Sequence, residues 1–421
     1  MNDQSWTSRE KMTADMQGPM DGEFKISEMF FSRTDSRGVI QAGNDVFMRI
    51  SGYEWENLIG APHKLIRHPD MPKAVFWLLW SEIKKGNPIG AYVKNRTKKG
   101  NPYWVFAVVM PVEGGYLSVR MKPTSEIFEK TQALYKQQLE REAAEGTNYT
   151  PEDSAQDLVK AITDMGFTSY GTFMATAVNA ELVSKDKKMN EHDDRLEAFE
   201  GMVKSVADIF EETNLLYQDF RRIEQIPVNL RLQASRCEAS GGPVSVISAN
   251  YSNLARDALS FALRFTKFAQ NVLDQINEGL FLMCAARLQR EMVAIFEAEN
   301  ADESPVDHQK EVEALTACQK DYGDRARASV AVISERAKEF LADSRQMRRF
   351  VGGLDVTRVT CRIETGWLPD ADDGFQEIIR RLDEFHLDVE RRLKRIDELN
   401  DDIIDRSTAL LTRHQRVNSA A

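Results

Sequence analysis

Leu65-Ile66-Arg67-His68-Pro69-Asp70-Met71-Pro72-Lys73 sets a cation, an imidazole and a carboxylate among two prolines, directly before an apolar run. Proline fixes φ and removes an amide donor, so this stretch predicts a rigid turn. A rigid turn that carries ionisable groups to a helix entrance can hold an anionic or heteroaromatic ligand. The plainer reading is a structural turn, with Asp70 capping the helix that follows. That helix is expected from Met71 to Lys85, carrying Phe76, Trp77, Leu79, Trp80 and Ile83, and stopped by Gly86. Trp77 and Trp80, three residues apart, read first as core packing, and His63 reads as a loop histidine.

Upstream, Phe30 to Thr34 and Val39 to Gln41 flank Asp35-Ser36-Arg37-Gly38, a hairpin of two short strands. Asn44 to Ile50 and Glu54 to Leu58 read as short helices, the second stopped by Gly60. Downstream, Ile89 to Lys94 and Tyr103 to Pro111 are strands joined through Lys98-Lys99-Gly100-Asn101, and Gly114-Gly115 leads into a strand over Tyr116 to Met121. Two strands, then helices, then three strands predict an α+β domain: an antiparallel five-stranded sheet with helices clustered on one face.

Beyond about residue 123 the composition changes. Five of the six tryptophans precede residue 105, and Leu, Ala, Glu, Asp and Arg then dominate. Thr124 to Glu142 reads as a charged helical linker, with a hinge at Ala144 to Tyr149. Thr150-Pro151-Glu152-Asp153 is a helix start: capping threonine, proline at the first position, acids near the positive end. From Leu196 the apolar positions Phe199, Val203, Val206, Phe210, Thr213, Tyr217 and Phe220 step by threes and fours, a coiled-coil-like pattern. Gly241-Gly242-Pro243 predicts a bend, with Pro243 opening a returning helix to about Glu297. Ser304-Pro305-Val306-Asp307 opens another helix, expected to break at Gly352-Gly353. A shorter segment ends in the loop Gly366 to Asp370. The last helix uses Phe375, Ile378, Leu382, Phe385, Val389, Leu393, Ile396, Leu399 and Ile403. The expected organisation is a disordered segment over 1–23, the α+β domain over 24–122, a linker over 123–149, an elongated all-α helical hairpin over 150–300 and a helical bundle over 301–421.

The net charge of −11 argues against a general nucleic-acid binder. Residues 23 to 122 hold 15 Lys and Arg against 9 Asp and Glu, a local +6 that leaves −17 for the rest. A basic head on an acidic body favours a phosphate-bearing ligand at the head, or is simply a solvated basic face. Cys237, Cys284, Cys318 and Cys361 lie far apart without a CxxC pair, which suggests reduced cytoplasmic usage and no metal site. The polar N-terminus does not read as a signal peptide. No uncharged apolar run approaches the roughly 18–20 residues of a membrane span. No catalytic constellation is recognisable, so an enzyme is not expected.

Gly43-Asn44-Asp45-Val46-Phe47, Ser51-Gly52-Tyr53, Gly60-Ala61-Pro62-His63, Arg67 to Ala74, Val93-Lys94-Asn95-Arg96 and Tyr103-Trp104-Val105 together resemble the PAS domain of bacterial aerotaxis receptors over about Ser32 to Lys122. The resemblance implies a PAS sensor that holds FAD non-covalently and reports redox state or oxygen, with haem or an empty pocket as alternatives. It implies flavin contacts at Asn44, Arg67, His68, Asp70 and Asn95, with Phe76, Trp80 and Trp104 walling the ring. Where the family commonly places tryptophan in its third strand, this chain has Ile89, and Tyr92 is a nearby aromatic substitute. More weakly, Arg222 to Leu230, Ala234 to Ala239, Val246 to Asn250 and Leu254-Ala255 resemble a degenerate signalling hairpin of methyl-accepting chemotaxis receptors. That implies a homodimer through the helical region, with the chemotaxis histidine kinase and its coupling protein as candidate partners. The expected function is therefore a cytoplasmic redox or oxygen sensor with a helical output. The alternative is a scaffolding protein of a chemotaxis-like array whose PAS pocket holds no redox cofactor.

Overall fold

The structure, a computed structural model, describes residues 22–145, 148–237, 242–299, 305–365 and 373–418. Five antiparallel strands form one sheet: β1 (Met29–Asp35), β2 (Ile40–Gly43), β3 (Ile89–Arg96), β4 (Pro102–Val112) and β5 (Gly115–Met121), in the order β2-β1-β5-β4-β3. The helices α1 (Asp45–Ser51), α2 (Trp55–Leu58) and α3 (Lys73–Lys84) lie between β2 and β3 in sequence, with a 3-10 turn over His63–Ile66. The expected α+β domain is thus present, each expected strand and helix lying within a few residues of its predicted bounds.

Local chemistry explains the boundaries. Asp35 Oδ1 accepts from the backbone N–H of Arg37 (2.8 Å) and Val39 (3.0 Å), closing the β1–β2 turn, and Gly38 takes φ of +80° there. The predicted cap at Asp70 does not form. Helix α3 starts later, at Lys73, and it is the Glu142 carboxylate that accepts from Ala74 N–H at 3.3 Å. Two prolines in Pro69 to Pro72 hold the chain extended past Asp70, which leaves its carboxylate beyond reach of the first helical amides.

The segment between α2 and α3 binds both edges of the sheet. Ile40 N–H donates to Ala61 O, Gly60 N–H to Ile40 O and His63 N–H to Gly38 O, each at 2.9 Å. At the opposite edge His68 N–H donates to Lys94 O (3.2 Å), and Arg67 bridges Asn95.

The helices that follow are α4 (Glu126–Glu145), α5 (Pro151–Asp164), α6 (Tyr170–Met189), α7 (Asp194–Ile223), α8 (Ile226–Cys237), α9 (Pro243–Glu297), α10 (His308–Thr365) and α11 (Asp373–Asn418). The predicted helix start opens α5 with Pro151 at the first position, and its cap is reciprocal: Thr150 Oγ1 accepts from Asp153 N–H and Asp153 Oδ2 from Thr150 N–H. Pro243 opens α9 as expected. The segments 1–21 and 366–372, with residues 146–147, 238–241 and 300–304, lie outside the described residues. So, therefore, do most of the predicted disordered segment, the hinge centre, the Gly241 end of the bend, Ser304 and the loop Gly366 to Asp370.

The chain divides into two compact units, residues 1–196 with 280–326, and residues 197–279 with 327–421; α9 and α10 each contribute to both. In the first, the sheet face turned away from α3 is covered by the chain's own helices. Phe31 packs edge-on to Phe296 (5.0 Å between ring centroids), and Arg33 pairs with Glu311 through Nε (2.8 Å) and Nη2 (2.5 Å). Tyr92 OH donates to Glu181 Oε1 at 2.8 Å. Glu181, fully buried on α6, also accepts from Ser125 Oγ (2.6 Å) and Ser125 N–H (3.1 Å), at the point where the sheet hands over to α4. Arg287 pairs with Asp186 (2.7 Å) and Glu291 (2.7 Å), and Lys185 also pairs with Glu291.

In the second unit α7, α9, α10 and α11 pack antiparallel. Thr266 Oγ1 donates to Thr213 O (3.3 Å), Phe265 stacks on Phe340 (4.2 Å), Asn400 Nδ2 donates to Ala337 O (2.9 Å), and Arg392 pairs with Glu212 (2.9 Å) and Asp219 (2.8 Å). Of the expected α7 seam, Leu196, Phe199, Val206, Thr213 and Phe220 are buried, and the other three positions each give way to the residue before them. Met202, Ile209 and Leu216 are buried, while Val203, Phe210 and Tyr217 are half-buried. Both sets are apolar, and neighbours in a helix differ by about 100° in direction, so the facing helices choose between them. The break expected at Gly352-Gly353 is absent: α10 runs through it, and Gly353 brings its backbone against Leu254 of α9. Two helical glycines cost about 2 kcal/mol relative to alanine, which tertiary packing along this helix offsets.

Glu181 is the only carboxylate holding the Tyr92 hydroxyl and the Ser125 donors among the described residues. Replacing it with alanine strands those groups in the interior. Glu181→Ala is expected to lower unfolding free energy by about 3 kcal/mol, read by urea denaturation with tryptophan fluorescence. A loss under about 0.5 kcal/mol, the range of an ordinary surface change, would remove this carboxylate from the framework.

Candidate functional site: a cavity between the sheet and α3

Strand alternation sends every second side chain to one face, and in this sheet that face borders a cavity of about 320 Å³. Ser32 and Thr34 enter it from β1, Val93 and Asn95 from β3, Ala107 and Val109 from β4, and Tyr116, Ser118 and Arg120 from β5. The opposite wall is α3, whose Phe76, Leu79, Trp80 and Ile83 follow the spacing i, i+3, i+4, i+7 of one helical face. Pro62, His63, Lys64 and Arg67 close one side. Gly38 lies over Trp80 so closely that a Cβ there would come within 3.1 Å of the indole, in addition to needing a positive φ. Trp80 itself meets Tyr116 edge-on at 5.6 Å. The size falls in the range of small-molecule sites.

The polar end of the cavity is built around Arg120, which is 4% exposed. Its Nη1 donates to Ser118 O (3.4 Å), and its Nη2 lies 2.7 Å from His63 Nε2. A guanidinium has only donors, so Nε2 must be the acceptor and the imidazole is neutral with its proton on Nδ1. Burial, helped by the Arg120 charge, pushes the His63 pKa down to about 3. The ring keeps some accessible surface because it borders the cavity, yet protein surrounds it, and that surrounding sets its desolvation. Burial also pushes Arg120 down to about 10, leaving it charged at neutral pH. The buried hydroxyls Ser32 Oγ and Ser118 Oγ have no hydrogen-bond partner.

Arg67 stands at the other end. Its guanidinium carbon lies 3.5 Å from the centroid of the Phe76 ring, a cation–π contact, and burial lowers its pKa. Arg67, Phe76 and Trp80 are shared with a more open groove of about 580 Å³, to which Lys73, Trp77, Ser81 and Lys84 contribute. Cations and aromatic faces therefore line a path leading outward from the enclosed cavity.

Of the residues selected from sequence, the structure brings Arg67, Phe76, Trp80 and Asn95 together and places four elsewhere. Asn44 pins backbone: its Oδ1 accepts from Phe31 N–H (3.2 Å), and its Nδ2 donates to Met29 O (3.3 Å) and Glu299 Oε1 (2.8 Å). His68 folds into its own turn, with Nδ1 accepting from Asp70 N–H at 3.0 Å. The Asp70 carboxylate is mostly exposed and pairs with Lys94 Nζ at 3.2 Å. Trp104 belongs to the other face of the sheet, against Phe128 (5.4 Å) and Tyr135 (6.2 Å). Tyr92 also faces that way, so it cannot replace the aromatic absent at Ile89, which packs with Ile83 and Val109. Sequence reasoning missed Arg120, Ser32 and Ser118, and set His63 aside. The alternation Tyr116, Ser118, Arg120 against Leu117, Val119, Met121 was the available signal. It reads as a polar solvent face unless something covers that face.

Residues 42–119 match a family described as the PAS fold. The aerotaxis receptor of Escherichia coli (strain K12) is 46% identical over 110 residues, which is 25% of this chain and 22% of that protein. The match thus spans about a fifth of the receptor's length. Among solved structures, the light state of the blue-light photoreceptor Aureochrome1 LOV is 23% identical, with 24% of this chain and 85% of that chain covered and a TM-score of 0.22. A PAS domain of a protein from Colwellia psychrerythraea is 20% identical, with 28% and 98% covered and a TM-score of 0.22. The chain therefore carries a PAS domain like that of a receptor, followed by a mostly helical region. Among the described residues no helix is long and apolar enough to cross a membrane.

The depressed His63 pKa has a stability consequence with a definite sign. The unfolded chain takes up a proton near pH 6.5, whereas the folded chain does so only near pH 3. The His63 contribution is therefore whole above pH 6.5 and is lost as pH falls toward 3, at up to about 1.4 kcal/mol per pH unit. Denaturant unfolding followed by tryptophan fluorescence should show His63→Gln with a flatter dependence than wild type across that window. Parallel curves for the two proteins would show that the imidazole titrates freely.

Proposed function

We propose that this chain is a redox-sensing PAS protein that binds FAD, with the isoalloxazine ring in the enclosed cavity and the phosphates toward the cationic groove. The buried, partnerless hydroxyls Ser32 Oγ and Ser118 Oγ carry this reading, because buried polar atoms are normally satisfied and a heteroaromatic edge would satisfy them. The other walls fit as well. Trp80, Leu79, Val93 and Val109 offer apolar contact, and Arg67, Lys73 and Lys84 offer charge for a diphosphate. Bound flavin would supply reversible electron uptake, which is what a redox sensor reads. Similarity to the aerotaxis receptor over the PAS region supports the same assignment. The haem alternative gains no support: His63 Nε2 is engaged by Arg120, and His68 lies outside the cavity.

The sensory output runs through packing. On β1, Ser32 and Thr34 touch the cavity while Arg33 and Phe31, on the reverse face, hold Glu311 and Phe296. A change of charge or hydrogen bonding at the ring that moved β1 would therefore act on α9 and α10 without an intermediary. The helical region then changes its contact with a protein partner, for which a chemotaxis kinase and coupling protein are the candidates, and a homodimer is the expected assembly. The scaffold alternative, in which the pocket holds no redox cofactor, has one observation in its favour: Ile89 puts an aliphatic side chain on the cavity face where an aromatic would stack better.

The purified chain, reconstituted with FAD, should show flavin absorbance, with Arg67→Ala binding about tenfold more weakly, the loss of about 1.4 kcal/mol. A chain that stays colourless with excess FAD would sink the flavin reading and favour the scaffold one.

A further inference from the structure

Arg120 is a buried cation with no carboxylate pairing to it among the described residues. Its two hydrogen-bond partners, Ser118 O and the His63 imidazole, are neutral. Around it also lie the rings of Phe30 and Phe47, whose centroids are 5.6 Å and 5.8 Å from the guanidinium carbon, and the phenol of Tyr103, which burial keeps neutral. A guanidinium carries five N–H donors, and two partners leave donors over. Burying a charge without a counter-charge is costly, and proteins tolerate it where the counter-charge arrives with a ligand. His63 cannot supply one, since it accepts from Arg120 as a neutral base. The buried hydroxyls of Ser32 and Ser118 border the same cavity and are themselves without partners.

We infer that Arg120 is the fixed counter-charge for an electron-rich form of the ligand, so that, on the flavin reading above, the cavity holds the reduced ring more tightly than the oxidised one. The oxidised isoalloxazine ring is neutral. Two electrons from a soluble donor and one proton from water convert it to a monoanion; no bond to the protein forms or breaks. The monoanion pairs with Arg120 in a site walled by apolar side chains, where charge–charge attraction is far stronger than in water. Differential affinity for two redox forms is a shift in midpoint potential by thermodynamic linkage. Arg120 therefore biases the sensor toward its reduced state, and sets the ambient potential at which the switch occurs. Arg67 differs in kind: it stands at the junction with the open groove, stacked on Phe76, so its charge is partly screened by solvent.

The test is a spectroelectrochemical titration of the full chain reconstituted with FAD, using dithionite as the reductant, beside free FAD at the same pH. Wild type is expected above free FAD. Arg120→Gln should fall by about 30 mV or more, a tenfold loss of preference for the reduced form in a two-electron couple, while Arg120→Lys, which keeps the charge, stays near wild type. Should Arg120→Gln fail to retain FAD, the wild-type comparison decides alone: a potential at or below that of free FAD overturns the inference. Arg120→Gln binding FAD at an unchanged potential overturns it equally. Wild type that takes up no FAD overturns the flavin reading itself, an outcome distinct from bound FAD with an unshifted potential.

Discussion

Successive side chains of a strand point to opposite faces, and β1 puts that rule to use within four residues. Ser32 and Thr34 border the cavity, while Phe31 and Arg33 hold Phe296 and Glu311 of the helices behind. The same division runs through β3, where Asn95 faces the cavity and Tyr92 reaches Glu181 on the far side. A sheet one residue thick thus separates the cavity from a helical layer. Neither side can be rearranged alone, because protein interiors are close-packed and respond to strain by shifting between discrete packings. The cavity and the helices share the same backbone hydrogen bonds.

The helical layer is positioned by buried charge as well as by apolar contact. Glu181 with Tyr92, Arg287 with Asp186, Lys185 with Glu291, and Arg33 with Glu311 all lie at least partly buried between elements distant in sequence. Buried pairs of this kind contribute little net stability compared with apolar substitutes, yet losing one partner costs several kcal/mol. They fix which surfaces meet. A latch of this sort is stiff while intact and yields when one charge is removed or competed for, the behaviour required of an element that passes on a signal.

Much of the fold was legible from local chemistry. The Asp35 to Gly38 turn, the helix over Phe76 to Ile83, the helix start at Thr150 and the proline opening α9 each depend on a few neighbouring residues. The cavity was legible only in part. Arg67 and Asn95 lie 28 positions apart but are joined by the Arg67–Asn95 bridge, and both were selected from the pattern of a known family. Trp104 was selected too, yet the direction of one side chain along β4 depends on strand register, and a shift by one residue reverses it. Arg120 was passed over for a related reason: a cation alternating with apolar residues reads as solvent-facing until α3 and the 60–68 segment are seen to cover it. On α7 the Phe199, Val206, Thr213 and Phe220 line was legible, whereas at 202/203, 209/210 and 216/217 both neighbours are apolar and the partner helices, unknown to the local sequence, chose the first of each pair.

The segment from Gly60 to His68 also has a consequence for how this domain meets other chains. It hydrogen-bonds to β2 at one margin of the sheet and to β3 at the other, occupying backbone groups that an unprotected outer strand would offer to a visitor. Strand exchange, domain swapping and fibril templating all begin by borrowing such groups. Where this segment sits, at Ile40 on one margin and at Lys94 and Asn95 on the other, self-association of the PAS sheet is left to side-chain surfaces, which single substitutions can tune.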